Sequence, residues 1–213
     1  MAGRDSSRFS DLTGSEVRLW ELIARRAAPG ADRAAIDRRI WDLFGERWAV
    51  MFTDLSGFSR QVARFGILHF LEIIWEQKRL LLPIVAEHDG ILVKIEADSF
   101  LILFRRPEVA LACGIAMQRA CQAWNVGKAE EEQVLLCLGI GFGDILRIGD
   151  SDVYGAEVNA ASKLGEDRAK KNEILVTGAV HDATRAVGGV TFEKLVMDVP
   201  GAEEAYRVGY ERA

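Results

Sequence analysis

Apolar positions in the first part of the chain recur at helical spacing. Leu12, Leu19, Leu22 and Ile23 predict a helix over 11–27, which Ala28-Pro29-Gly30 stops. Ile36, Ile40, Trp41, Leu43 and Phe44 predict a second over 31–44. From residue 47 strand-like and helix-like runs alternate. The apolar run that ends at Asp54 predicts a strand over 48–53. A helix near 56–65 follows, then a longer one over 68–87 that Pro83 perturbs. "GILVKIEADSFLILF" reads as two β-rich runs meeting at Ala97-Asp98, hence a hairpin. Pro107 opens a helix reaching about Trp124. Beyond the charged loop "NVGKAEEEQ", the stretch "VLLCLGIGFGDILRIG" reads as a second pair of strands. A helix over "GAEVNAASKLGEDRAK", a strand at "EILVT", a short helix with Thr177 as N-cap, and strands near 190–196 and 204–210 complete the order. This mixture predicts an α+β class. We expect a ferredoxin-like or palm-type, mixed but mostly antiparallel sheet with helices on one face. Residues 1–46 form a helical extension in this reading, and 47–213 the main domain.

The 213 residues suffice for one domain plus an extension, with a core that needs neither disulfides nor metals. A net charge of −5 provides no polybasic footprint, so nucleic acid is not an expected partner. A phosphate site would have to rely on local groups or bound cations. The most apolar segment, "ILHFLEIIWEQKRLLLPIV", is interrupted by Glu72, Glu76, Lys78 and Arg79, and the polar start has no signal-like apolar region. No membrane insertion is expected. Cys113, Cys121 and Cys137 match no metal spacing and read as reduced core residues of a cytoplasmic protein. His69, His88 and His181 are scattered and read as structural or surface residues.

Asp54 stands at the mouth of a buried strand, where it serves either as a turn former or as a ligand for a hard metal ion. Asp98, at the hairpin turn, carries the same two readings. Adjacent strands lie about 5 Å apart, so two carboxylates at such ends can bracket a metal pair. Backbone N–H groups at Ser56, Gly57 and Phe58, where a helix begins, could hold phosphate oxygens. Asn159 and Lys163, four residues apart, share one helix face. "GIGFGD" lies between strands without a helix start, which argues against a dinucleotide fingerprint.

Three stretches, "FTDLSGF", "VKIEADSF" and "DVYGAEVNAASKLGE", follow one another in an order that resembles the class III nucleotidyl cyclase catalytic domain over roughly residues 47–210. The resemblance implies conversion of a nucleoside triphosphate, most plausibly ATP to 3′,5′-cyclic AMP and pyrophosphate. It implies two Mg²⁺ or Mn²⁺ ions held by Asp54 and Asp98, and Asn159 and Lys163 as the ribose-orienting and transition-state residues. Lys94 and Asp152 fall where the family reads the base; otherwise they are an ordinary strand Lys and loop Asp. An ammonium can donate to adenine N1 and a carboxylate can accept from N6, whereas guanine would mismatch both. The resemblance also implies glycines of "GIGFGD" packing closely near a dimer interface, and active sites shared between two subunits. A homodimer would then assemble two whole sites from four half-sites. The N-terminal helices would hold that dimer together, regulate it, or simply pack on the flank. Two departures stand out. Lys163 replaces the family's Arg, losing its planar two-pronged geometry, and the family's downstream phosphate-binding Lys has no clear counterpart. They favour an alternative, a nucleotide-binding regulatory module with little turnover. No diguanylate-cyclase turn, Gly-Gly-(Asp/Glu)-Glu-Phe, is present.

Overall fold

The computed structural model describes residues 14–211, with residues 58–61 described as backbone only; Leu12 lies outside the described residues. Helices α1 (Gly14–Ala27) and α2 (Arg33–Phe44) lead into strand β1 (Gly45–Leu55). There follow α3 (Phe58–Phe65), α4 (Ile67–Glu87), the hairpin β2 (Ile91–Glu96) and β3 (Ser99–Phe104), and α5 (Pro107–Asn125). The second half runs β4 (Leu136–Ile148), β5 (Asp152–Tyr154), α6 (Ala156–Ser162), a π-helical stretch Lys163–Arg168, β6 (Glu173–Thr177), α7 (Gly178–Thr184), β7 (Val190–Leu195) and β8 (Ala205–Tyr210). The sheet order is β2-β3-β1-β4-β6-β8-β7, with β5 paired to β4. Every pairing is antiparallel except β4 with β6.

One face of this sheet carries the main core. Met51, Phe100, Ile102, Leu138 and Ile140 pack there against Phe70, Leu81, Leu111 and Met117 of α4 and α5. Pro83 was expected to perturb α4, yet the helix continues to Glu87. Leu81 and Val85, buried on either side of the proline, hold the last turn against the core despite the lost backbone bond.

The opposite face departs from the one-sided arrangement expected. It is covered by α6, whose Ala161 joins Trp48, Val50, Leu101, Leu103, Ile145 and Val153. The cause lies in β4, which is one unbroken strand rather than the expected pair. Gly139, Gly141 and Gly143 alternate, so all three face α6. A Cβ at Gly139 would meet the Ala161 carbonyl oxygen at 2.1 Å, and one at Gly141 the Glu157 carbonyl oxygen at 2.4 Å. These glycines therefore admit the chain's own helix against the sheet.

The expected cap at Thr177 also differs. Thr177 occupies the N-cap position of α7 but makes no side-chain cap bond. Its hydroxyl instead donates to Glu157 Oε2 at 2.8 Å, and the Phe142 N–H donates to the same oxygen at 2.9 Å. Glu157 thereby ties α6 to β4 and β6. Burial is the main force raising its pKa, opposed by these two bonds.

Candidate active site

Asp54 is the penultimate residue of β1, on the face that α6 covers, and Asp98 sits in the turn between β2 and β3. Because β3 pairs with β1, the turn lands beside the end of β1. Ala97 opens that turn at φ +53°, a left-handed conformation costing a non-glycine residue about 1–2 kcal/mol. Two contacts hold it. Gln77, wholly buried on α4, donates its Nε2 to the Asp98 carbonyl at 2.8 Å. The Leu55 N–H donates to Asp98 Oδ2 at 3.3 Å. Asp98 is left only 9% exposed. The two carboxyl groups stand close enough that each acts on the other's ionisation. Burial, then the Asp98 charge, push the Asp54 carboxyl up to about 7. Burial also raises Asp98. Glu166, within the π-helical stretch, adds negative charge to both. Its carboxylate is held by Ser99 Oγ at 2.7 Å and by Ser162 Oγ.

A buried and a half-buried carboxylate crowded together, with no neutralising cation paired to them among the described residues, favour a bound positive charge. The donors are oxygens, which suit a hard divalent ion. No cluster of three or more His, Cys, Asp or Glu is placed for a metal among the described residues. A cation on Asp54 and Asp98 would therefore complete its shell with water, backbone or phosphate oxygens, as Mg²⁺ does with nucleotides. Just beyond, the Ser56 N–H is occupied by the Leu135 carbonyl at 2.9 Å, so it is not available for phosphate as expected. Gly57, at φ +95°, turns the chain into α3, which starts at Phe58. A cavity of about 480 Å³ opens beside this turn, lined by Ser56, Gly57, Arg64, Lys170 and Lys171, with Glu130 and Glu131 at its side.

Lys94 and Asp152 meet although they start four strands apart. The β4–β5 arm lies across the α6-covered face, where Val153 joins Leu101, Leu103 and Val93. Lys94 Nζ then reaches Asp152 at 3.4 Å and Glu96 at 3.0 Å. Burial works against the Lys94 charge, but these two carboxylates outweigh it and its pKa is raised. Burial, then the Asp152 charge two residues back, raise the pKa of Tyr154.

Asn159 on α6 and Lys163 at the start of the π-helical stretch are both exposed. Lys163 Nζ pairs with Asp167 at 2.7 Å. No hydrogen bond or ion pair among the described residues links either of them to Asp54 or Asp98. The fold thus assembles two groups in one chain: a carboxylate pair, and a Lys94–Asp152 pair neighbouring an exposed Asn–Lys helix face.

Residues 45–207 match the adenylate and guanylate cyclase catalytic domain. The chain belongs to that family. It is 31% identical over 151 residues to an adenylate cyclase of Streptomyces coelicolor, covering 70% of this chain and 35% of that protein. Over 155 residues it is 29% identical to the serine/threonine-protein kinase pkn2 of Myxococcus xanthus, covering 73% of this chain and 18% of the kinase. The chain therefore spans little more than a third, or less, of the curated relatives it matches. An adenylate/guanylate cyclase/hydrolase from Silicibacter pomeroyi superposes with a TM-score of 0.67 at 27% identity, covering 77% of this chain and 96% of that one. The chain is a class III nucleotidyl cyclase domain by family and by fold, and no described helix is long and apolar enough to cross a membrane.

Gln77, Glu166 and Tyr154 escaped the sequence reading. Gln77 left one usable signal, a polar residue on the apolar face of α4 beside Ile73, Ile74 and Leu81. Glu166 and Tyr154 left none, because their partners Ser99 and Asp152 come from other elements.

Proposed function

We propose that this domain is an adenylyl cyclase that converts ATP to 3′,5′-cyclic AMP and pyrophosphate at sites shared between two copies of the chain. The carrying observation is the crowded Asp54–Asp98 carboxyl pair, on the two motifs that define the family's metal site. Two Mg²⁺ or Mn²⁺ ions held there would supply charge neutralisation and a more acidic ribose hydroxyl. In the reaction the 3′-hydroxyl gives up its proton to water, its oxygen bonds to the α-phosphorus, the bond from that phosphorus to the bridging oxygen breaks, and pyrophosphate leaves with the electron pair.

The chain's own groups divide the remaining work. Lys94 donates to adenine N1 and Asp152 accepts from N6; their mutual contact is exchanged for the base. Asn159 orients the ribose, and Lys163 places positive charge at the α-phosphate. The backbone at Gly57 and Phe58, with Arg64, Lys170 and Lys171 on the adjoining cavity, would hold the outer phosphates. That cluster supplies a cation where the family's downstream Lys is missing. The exposed Asn159–Lys163 face, with no bond to Asp54 or Asp98 among the described residues, favours delivery to a partner's carboxylate pair.

The test is incubation of the purified chain with each of four nucleoside triphosphates and Mn²⁺. Cyclic AMP should form fastest. Product no greater than that of Asp54→Ala with every triphosphate would remove catalysis.

One observation favours a second reading, a nucleotide-binding module with little turnover: Lys163 lacks the Arg fork and is engaged by Asp167. Under that reading Lys163→Arg raises cyclic AMP formation by about tenfold or more, since one charge-assisted contact is worth at least that. A loss of activity in Lys163→Arg would show instead that Lys is the residue this site is tuned to.

A further inference from the structure

The helix pair α1–α2 forms its own small core, but not by itself. Leu19 and Leu22 of α1 and Ile40 and Phe44 of α2 close around Ile148, with Ile36 and Leu146 alongside. Ile148 and Leu146 belong to β4. Across the β4–β5 ladder, Ile148 pairs with Asp152 and Leu146 with Tyr154. Directly paired residues in antiparallel strands project to the same side. The surface that α1–α2 grip is thus the side of the arm that carries Asp152 and Tyr154, while Ile145 and Val153 on its other side pack on the sheet.

Two further features place α1 beside the same arm. Gly149, at φ +56°, lies beside Ser15, and a Cβ there would make ordinary contact with its Oγ at 3.5 Å. Glu16 is near enough to Tyr154, beside Asp152 on β5, for its charge to act on the phenol. The seam is not sealed. A cavity of about 270 Å³ lies along it between Ser15, Phe44, Arg147 and Gly149. Arg147 also braces the loop, donating to the Gly149 carbonyl at 3.1 Å and to Asp150 at 2.8 Å. The loop is therefore held at one end by its own arginine and along one side by α1.

We propose that the α1–α2 pair is the positioning element of the base-reading edge: docked on the β4–β5 arm, it sets where Asp152 stands relative to Lys94, and so how tightly and how selectively the purine is held. This rests on the reading of Lys94 and Asp152 given above. It assigns the helices a role inside one chain, on the opposite side of the arm from the sheet. A signal that loosens or tightens them would alter base recognition without touching the Asp54–Asp98 pair.

The experiment compares the full chain with Leu22→Ala and with the milder surface change Glu16→Ala, by amide hydrogen exchange and by kinetics with ATP and GTP. In Leu22→Ala the amides of residues 150–154 should exchange about tenfold faster or more, with those of 54–57 and 98–100 unchanged. The KM for ATP should rise about tenfold and the ATP-over-GTP ratio of kcat/KM fall about fivefold, with kcat within about twofold. Glu16→Ala should shift exchange and ratio in the same direction by about twofold, and decides the matter if Leu22→Ala does not fold. Unchanged exchange at 150–154, or faster exchange with the ATP-over-GTP ratio intact, overturns the proposal. If the wild type cyclises no triphosphate, the cyclase reading fails on its own; the ratio of ATP and GTP dissociation constants then replaces the kinetic ratio, and the exchange result stands unaltered.

Discussion

Replacing Asp54 by Asn should abolish cyclic-nucleotide formation and at the same time stabilise the metal-free protein. The loss is expected to be on the order of a thousandfold or more, because removing one carboxylate from a two-carboxylate cation site withdraws several kcal/mol of charge stabilisation. The gain in stability follows from the same crowding. Burial and the neighbouring Asp98 lift the folded-state pKa of Asp54 to about 7, against an ordinary 3.8. The folded protein therefore binds a proton that the unfolded chain has released across the window from about pH 4 to about pH 7. Stability of the metal-free protein falls as pH rises through that window, and the penalty is complete above it. Asn carries no charge at any pH and removes the penalty. Solvent still reaches Asp54, so the gain at pH 8 should be about 1–2 kcal/mol rather than the full shift. Thermal unfolding of both proteins at pH 4 and pH 8, without divalent cations, measures it. The Tm advantage of Asp54→Asn should appear at pH 8 and shrink towards pH 4. A destabilised Asp54→Asn at pH 8 would mean that the carboxylate is compensated in a way the geometry does not reveal.

Mixing two dead variants should restore activity. Asp54→Asn removes the carboxylate half of a site, and Asn159→Ala the helix half, each leaving about a thousandth of wild-type activity or less. In a head-to-tail dimer that pairs one half-site with the partner's other half, a heterodimer of these variants holds one intact site and one doubly disabled site. Random mixing in equal amounts makes half the dimers heterodimers, so about a quarter of wild-type activity should return. Asn159 on α6 and Lys163 just after it stand exposed, with no bond to Asp54 or Asp98 among the described residues, which is the arrangement that lets them serve another copy. Activity of the mixture equal to the mean of the two variants would place each complete site within a single chain.

The positions of Asp54 and Asp98, one near the end of β1 and one in the β2–β3 turn, were legible in the sequence because each lies in a recognisable motif beside a local hydrophobic run. The Lys94–Asp152 meeting was reachable only through resemblance. Its physical cause is the arm of β4 folding over the sheet face, which no local pattern encodes. The glycines of β4 misled the strand reading for a related reason. Gly139, Gly141 and Gly143 look like a break, and only their alternation reveals one face cleared for a helix. That same helix falsified the expectation of a one-sided sheet. Ser56 shows the limit at the finest scale: its N–H was assigned to phosphate, but the start of β4 claims it through the Leu135 carbonyl. Thr177 shows the same competition, its hydroxyl drawn from capping α7 to the buried Glu157. In each case the local signal was sound and a tertiary partner took the group.

Electron paramagnetic resonance of Mn²⁺ bound to the chain in the presence of a non-cyclisable ATP analogue addresses the carboxylate pair itself. Two ions should bind per nucleotide in the wild type, with Asp54→Asn and Asp98→Asn each losing at least one of them. Undiminished Mn²⁺ occupancy in both variants would contradict the assignment of these two side chains as the cation site.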